Sequence, residues 1–532
     1  MSPKNFRHAK KEQEKVFNRE SIPKWIAGAG ILLMGASLFA TTKLAYTHSD
    51  NAWYAIMGRD IAAGNILLTN FVGSTMSHYF PYALIESFWS LFFRSYRDVH
   101  ALSVVSLTLL WGYVVFLAIQ GLSGKKPSIF HVLTIVVFII TMHPPVLAET
   151  YVHFAPALCA LLAAYLYYSK HPSKWAKYGI VALLATWTNN YNIIYFLIPI
   201  LLENILYYIK TKKTDPMLKW VALGMVVYVV RYLLLMNIGL EIPGAASVLK
   251  SARIISDFDN IGDNFSKVYF SLNTLFSSHF WGMKLERALP SLYFSIALFL
   301  TLYAKAKYSL QIYKEKSSDE NRLMMFLLIG SFAILGIHLF SKITASMMYL
   351  RYMAGFYING LVILGYWLHT KWPTGNKLSF IFVVTLVTSI VYQINHERYQ
   401  ENPFLKERQE IANIIRDENL NNGYAWFGNA LSTNFILNEQ RVASLRYKSS
   451  KPMLWLIDRK TFHRPGKFDF ILAWKDAQHG EWGEYDWSDE EIREYFGAPE
   501  KTIETGRIRV YVYDDITDKV EKPKLKAFGF FK

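Results

Sequence analysis

Apolar residues gather along this chain in long runs, separated by short polar stretches rich in Lys and Arg. The first run, residues 25–46, is long enough to cross a bilayer as a helix, which takes about 20 mostly apolar residues. Residues 101–119, 129–142, 154–168, 178–188, 193–209, 218–235, 292–304, 323–340, 348–368 and 378–392 repeat the pattern. Taken together they predict about eleven spans, a count that rests on roughly one span per apolar run. Between the first two runs the periodicity changes. Trp53, Ile56, Met57 and Ile61 alternate with Arg59, Asp60 and Asn65, the spacing of an amphipathic helix lying along the interface, and Gly64-Asn65 is its expected stop. Residues 79–93 are apolar and aromatic but short, and Glu86 interrupts them, so they read as a second interfacial helix rather than a span.

Charge fixes the expected direction. With alternating spans, Lys125 and Lys126, Lys170, Lys174 and Lys177, Lys210, Lys212 and Lys213, the loop holding Lys305, Lys307, Lys314, Lys316 and Arg322, and Lys371 and Lys377 all fall on the side of the basic tail, residues 1–24. Basic loops stay in the cytoplasm. If residues 79–93 crossed the membrane, those clusters would face outward. The expected organisation is therefore a partly disordered cytoplasmic tail (1–24), a transmembrane domain (25–394) and an extracytoplasmic domain (395–532). The transmembrane domain would hold a first outer loop (47–100) and a long outer loop (239–287). In residues 395–532 the charges rise and the apolar runs shorten. An amphipathic helix is expected over 403–419, strands over 423–427, 468–474 and 507–513, and a helix after the N-cap Ser488, which together predict a small α/β domain.

Composition adds two exclusions. The chain has 532 residues, is 52% hydrophobic and carries a formal charge of +16. In a polytopic protein that basic excess belongs to the cytoplasmic loops, so it does not indicate nucleic-acid binding. The single cysteine, Cys159, excludes an internal disulfide or a thiolate cluster.

The candidate chemistry lies at the expected outer face. Asp50 follows the first span. A carboxylate there can take a proton from an acceptor hydroxyl during group transfer, although position alone fits an ordinary solvated loop acid. The later His78, and Glu149 with His143-Pro144-Pro145 in the second outer loop, add polar groups on the same side. Arg231 lies near the outer end of a span, where an ionisable group is costly and marks a functional candidate or a side chain snorkelling to the interface. Asp257, Asp259 and Asp263 in the long loop are oxygen ligands of the kind Mg²⁺ or Mn²⁺ takes, but such spaced loop acids are far more often solvated, so no metal site is assigned.

This layout resembles the GT-C superfamily of membrane glycosyltransferases, which use polyprenyl-phosphate-linked sugars. In that superfamily an acid sits in the first outer loop, on or before a helix lying along the membrane, and Asp50 has that place. Many members then carry an acid, a Lys or His and two prolines at the opening of a second interfacial helix. Here Ser77-His78-Tyr79-Phe80-Pro81-Tyr82 stands there, without the acid and with a single proline, and Asn51 follows Asp50 where a second acid is common. Arg351-Tyr352 is similar to the family's Arg-Tyr pair that contacts the lipid phosphate, and Lys342 lies nearby. An arginine suits that role because its planar fork binds phosphate oxygens bidentately.

The resemblance implies an inverting glycosyltransferase of a bacterial inner or plasma membrane. Asp50 would be its base, and Arg351, Tyr352, Arg231, Lys342, His78 and Glu149 the substrate-binding residues. No cofactor is assigned, and the resemblance leaves a divalent metal open, since some members require one and others do not; a glycan, lipid or protein would be the acceptor. The competing expectations are a lipid-linked saccharide flippase and an envelope polysaccharide polymerase or ligase.

Overall fold

The computed structural model describes residues 22–44, 49–72, 79–141, 144–169, 173–186, 193–237, 261–278, 284–314, 321–340, 353–372, 375–395, 403–446, 449–453, 457–475 and 487–525. The first helices are α1 (Ile22–Leu44), α2 (Ser49–Ala62), α3 (Leu84–Ser90), entered through a π-helical turn at Tyr79–Ala83, and α4 (Tyr96–Ser123). They are followed by α5 (Ile129–Ile140), α6 (Pro144–Tyr167), α7 (Lys174–Thr186), α8 (Ile198–Thr211), α9 (Leu218–Asn237) and α10 (Ile261–Leu275). The helical region ends with α11 (Leu285–Lys314), α12 (Arg322–Phe340), α13 (Ala354–Lys371) and α14 (Gly375–Asn395).

Among the described residues, six helical segments are long and apolar enough to cross a membrane: Trp25–Leu44, Tyr96–Ser123, Ile193–Thr211, Ala288–Ile312, Arg322–Phe340 and Lys377–Ile394. Ile129–Ile140 and Ala155–Tyr167 are apolar but shorter. The expected eleven spans are therefore not all matched by helices of spanning length. The 12 residues of α5 are too short to cross about 30 Å of hydrocarbon at 1.5 Å per residue, and α7 is described over 13 residues.

The bundle has an apolar exterior. α5 and α13 lie at its centre, buried over nearly their whole length. Around them α8 exposes Leu201, Leu202, Ile205 and Leu206, and α9 exposes Val226, Val229, Val230 and Leu233. Apolar stripes this long would be an aggregation liability in water. Facing lipid they cost nothing, and the chain is an integral membrane protein.

Polar groups point inward instead. Arg322 at the start of α12 donates from Nε to Glu203 Oε1 (2.7 Å) and from Nη1 to Asp215 Oδ2 (2.7 Å), and lies 4.1 Å over the Tyr207 ring. Tyr168 also donates to Glu203 (2.9 Å). Two basic residues expected in solvated loops are thus internal. Arg322 is one. The other is Lys305, which is buried because α11 runs on through it to Lys314 instead of ending before it. The long loop expected over 239–287 contains a 15-residue helix, α10. Its Asp263 is exposed and paired with Lys267 (2.6 Å), while Asp257 and Asp259 lie outside the described residues.

The rest of the chain builds a five-stranded sheet. After α15 (Pro403–Asp417) come β2 (Asn422–Trp426), α16 (Phe427–Leu437), β3 (Val442–Leu445), β4 (Ile457–Asp458), β5 (Phe468–Trp474), α17 (Asp489–Phe496), β6 (Lys501–Thr505) and β7 (Ile508–Val512). The strand order is β3-β2-β5-β7-β6; β2 is parallel to β3 and β5, and β7 is antiparallel to β5 and β6. β5 is central and buried along all but its last residue, and its sequence is apolar except for the buried Asp469. β4 pairs instead with β1 (Phe71–Val72), a two-residue antiparallel ladder that joins the segment after α2 to this sheet domain.

Replacing Arg322 by Leu leaves Glu203 buried without its counter-charge. The expected loss is about 3–5 kcal/mol of stability, read as a lower thermal midpoint of the detergent-solubilised protein. Arg322→Lys should recover part of it, because one ammonium cannot fork between Glu203 and Asp215. An unchanged midpoint in Arg322→Leu would rule out a stabilising role for the network.

Candidate functional site

The site is built around α2. Its sequence has an apolar half and a polar half, and it was expected to lie half-exposed along the interface. In the structure residues 52–58 are buried without interruption, wedged among α3, α4, α6 and α16. Its Arg59 and Asp60 are partly buried, and both meet partners from distant parts of the chain. Asp50 lies in the first turn of α2; its side chain is outside the described residues.

On one side α2 crosses α3 at very short range. A Cβ added at Gly58 would sit 2.4 Å from Glu86 Cβ and 2.7 Å from its carbonyl carbon, so only glycine fits. Glu86, expected to interrupt a lipid-facing helix, is fully buried and lies 2.8 Å from His100 Nδ1 on α4. Its second oxygen, Oε2, has no hydrogen-bond partner among the described residues. The opposite face of α3 and the turn after it expose Leu84, Phe88, Leu91, Phe92 and Phe93, which suits an element lying against lipid.

On the other side α2 meets the sheet domain. Arg59 donates from Nη1 to Asn438 O (3.0 Å) and from Nη2 to Asn438 Oδ1 (2.9 Å), while its guanidinium lies 3.7 Å over the Tyr96 ring. The same Asn438 Oδ1 accepts from the Tyr96 backbone N–H (2.8 Å). Asn438 ends α16 in the left-handed conformation (φ +63°), where asparagine is among the few non-glycine residues readily accommodated. Phe435 of α16 stacks on Tyr96 and meets His100 edge-on.

A carboxylate pair lies beyond Arg59. Asp60 accepts from Asn65 Nδ2 and faces Lys460 Nζ at 3.9 Å. Asp458 is 4% exposed and accepts from the Lys460 backbone N–H (2.9 Å). Its carboxyl is pushed up to about 6, chiefly by burial; the Lys460 N–H opposes the shift and the nearby Asp60 charge adds to it. Asp458, Ser444, Gln440 and Trp53 line a cavity of about 10 Å³, room for about one water. Trp53 Nε1 has no acceptor among the described residues.

Few of the residues selected from sequence lie where their side chains are described. Arg231 is half-buried on α9, its guanidinium 5.2 Å over the Tyr228 ring. Glu149 lies on α6, which packs against α2, so the helices of Asp50 and Glu149 are in contact; the Glu149 side chain is outside the described residues. His78, Lys342, Arg351 and Tyr352 lie outside them altogether. Sequence reasoning missed Arg59, the Glu86–His100 pair, Asn438 and Asp458. The one available signal was an acid within the aromatic stretch and a histidine beyond it, each costly if lipid-facing. Among the described residues no three His, Cys, Asp or Glu side chains converge as a metal site requires.

Because the folded state holds the Asp458 proton more tightly than an unfolded chain does, ionisation of Asp458 opposes folding. That cost is absent below about pH 4, grows through the window up to about pH 6 and is complete above it, reaching about 3 kcal/mol. Asp458→Asn should therefore raise the thermal midpoint at pH 7 and leave it unchanged at pH 4. A difference that is the same at both pH values would rule out this origin.

No protein-family model matches the chain, and no curated protein matches it. Among solved structures it is similar to the arabinofuranosyltransferase AftD from Mycobacteria, with a TM-score of 0.45 and 10% identity over 93% of this chain and 42% of that one. It is also similar to ArnT from Cupriavidus metallidurans in the apo state, with a TM-score of 0.42 and 12% identity over 94% of this chain and 98% of that one. The chain thus spans less than half the length of the AftD chain and nearly all of ArnT.

Proposed function

We propose that this protein is a membrane glycosyltransferase of the GT-C type, moving a sugar from a polyprenyl-phosphate donor to a cell-envelope glycan, lipid or protein at the outer membrane face. One observation carries the reading. Asp50 lies in the first turn of a helix that directly follows the first span, and that helix packs against α3, α4, α6 and the sheet domain. A base needs such fixed placement, because proton abstraction depends on hydrogen-bond reach to one hydroxyl.

In the reaction the acceptor hydroxyl oxygen forms a bond to the anomeric carbon as the bond from that carbon to the phosphate oxygen breaks. Configuration inverts, and the hydroxyl proton passes to Asp50. Polyprenyl phosphate leaves as an anion, its charge held by Arg351 beside Tyr352, with Arg231 or Lys342 assisting. His78 and Glu149 contact the sugar or the acceptor. No step requires a metal. The basic N-terminal tail is cytoplasmic, and the sheet domain lies outside and helps to select the acceptor.

A specific observation favours a second reading, a lipid-linked saccharide flippase. Lys305 is buried within a spanning helix, and ionisable groups at membrane depth are common in transporters.

Purified protein incubated with a panel of polyprenyl-phosphate sugars and envelope lipids should transfer sugar. Asp50→Asn, inserted and folded as the parent is, should lower kcat by about 100-fold or more, the usual contribution of a general base. Transfer that survives the substitution would move the base to another acid such as Glu149. Failure with every donor, together with movement of labelled lipid across vesicles, would establish the flippase instead.

A further inference from the structure

We propose that the sheet domain is part of the catalytic apparatus, with Asn438 a positioning residue that sets the aim of α2 through Arg59. This inference rests on the assignment of Asp50 as the base.

The argument begins with the helix. Asp50 and Arg59 stand nine positions apart on α2, about 14 Å along a single rod. A rod of that length transmits tilt, so whatever holds Arg59 also constrains the first turn. What holds Arg59 is external to α2. Two of its N–H groups end on Asn438 and its flat face rests on Tyr96. Asn438 Oδ1 takes a second hydrogen bond from the Tyr96 N–H, so one carboxamide oxygen ties together α2, the start of α4 and the end of α16. Tyr96 is buried and Arg59 and Asn438 are partly buried, which limits the water that could replace the carboxamide.

This knot is separable from the docking of the domain. The β1–β4 ladder, the Arg459 N–H donated to Asn70 O (3.0 Å) and the Asp60–Lys460 pair all lie beyond the knot. They hold the domain in place whether or not Asn438 keeps its side chain. The left-handed backbone at 438 also provides a clean substitution. Asn438→Gly keeps that conformation without strain and removes only the carboxamide. Asn438→Asp restores an oxygen acceptor for both Arg59 and Tyr96.

Two measurements test the proposal. The first is hydrogen–deuterium exchange of the α2 backbone in the parent, Asn438→Gly and Asn438→Asp, all in the same detergent. Asn438→Gly should speed exchange over residues 52–58 by tenfold or more while residues 70–72 and 457–459 stay as in the parent, and Asn438→Asp should return to parent rates. Unchanged exchange in α2 would overturn the proposal, and so would faster exchange in both regions, which marks undocking of the domain.

The second is steady-state transfer. Asn438→Gly should lower kcat by tenfold or more at unchanged donor KM, with rescue in Asn438→Asp. A lower content of folded protein at parent kcat per folded molecule would overturn it, since that marks a merely structural residue. If the parent transfers no sugar, the glycosyltransferase reading fails by itself, and the exchange measurement still decides whether Asn438 positions α2.

Discussion

The structure depends on a helix that has no free face. α2 carries Arg59 and Asp60, yet from residue 52 to 58 it is buried, and the two charges sit at the edge of that packing. Removing a charge from water is costly unless a partner replaces the lost hydration. The chain supplies partners from its far end. Asn438 lies 379 positions from Arg59, and Lys460 serves Asp60. The sheet domain is therefore needed locally for α2 to be buried as it is. The two-residue strand β1 adds a backbone link between the segment after α2 and the same domain.

Around this junction the bundle reverses the usual placement of polar and apolar groups. Helices such as α8 turn leucines and isoleucines outward and keep Glu203 and Asn204 inside. In hydrocarbon an unsatisfied polar group has no water to fall back on. Glu203 accordingly receives Arg322 on both oxygens and Tyr168 besides. The buried Glu86 follows the same logic less completely, with one oxygen on His100 and the other without a partner among the described residues.

Much of this was legible in the sequence wherever a single element sufficed. The helix expected over 403–419 spans Pro403–Asp417, and the strand expected over 468–474 is β5. Ser488 caps α17 and receives a hydrogen bond from the Glu491 N–H, while the Glu491 side chain reaches back to the Ser488 N–H. These features depend on local periodicity and capping, which lie within a few residues. What escaped depended on partners far away. Arg322 and Lys305 read as loop residues because their positions among other basic residues carried no sign of a buried partner. Arg59 and Asp60 read as the wet face of an interfacial helix for the same reason. At the candidate site the position of Asp50 after the first span was legible. The knot that holds its helix was not, because nothing near Asn438 announces Arg59.

Lys305 shows how far this dependence on distant partners goes. Its ammonium donates to Phe356 O (3.0 Å) and lies 3.2 Å from the centre of the Phe356 ring, so a carbonyl and an aromatic face replace its hydration. Gly360 leaves room for that approach. A Cβ there would stand 2.8 Å from Thr301 Cγ2, 3.0 Å from Lys305 Cε and 3.2 Å from its Nζ. Glycine inside a helix costs about 1 kcal/mol relative to alanine, so helix propensity does not account for it. A packing reason does. Between helices in lipid the hydrophobic effect cannot favour one register over another, because the surrounding tails are as apolar as a neighbouring helix. A lysine held by one carbonyl and one ring favours the register that brings those groups together. Lys305 therefore favours one placement of α11 along α13, where apolar packing alone is least selective.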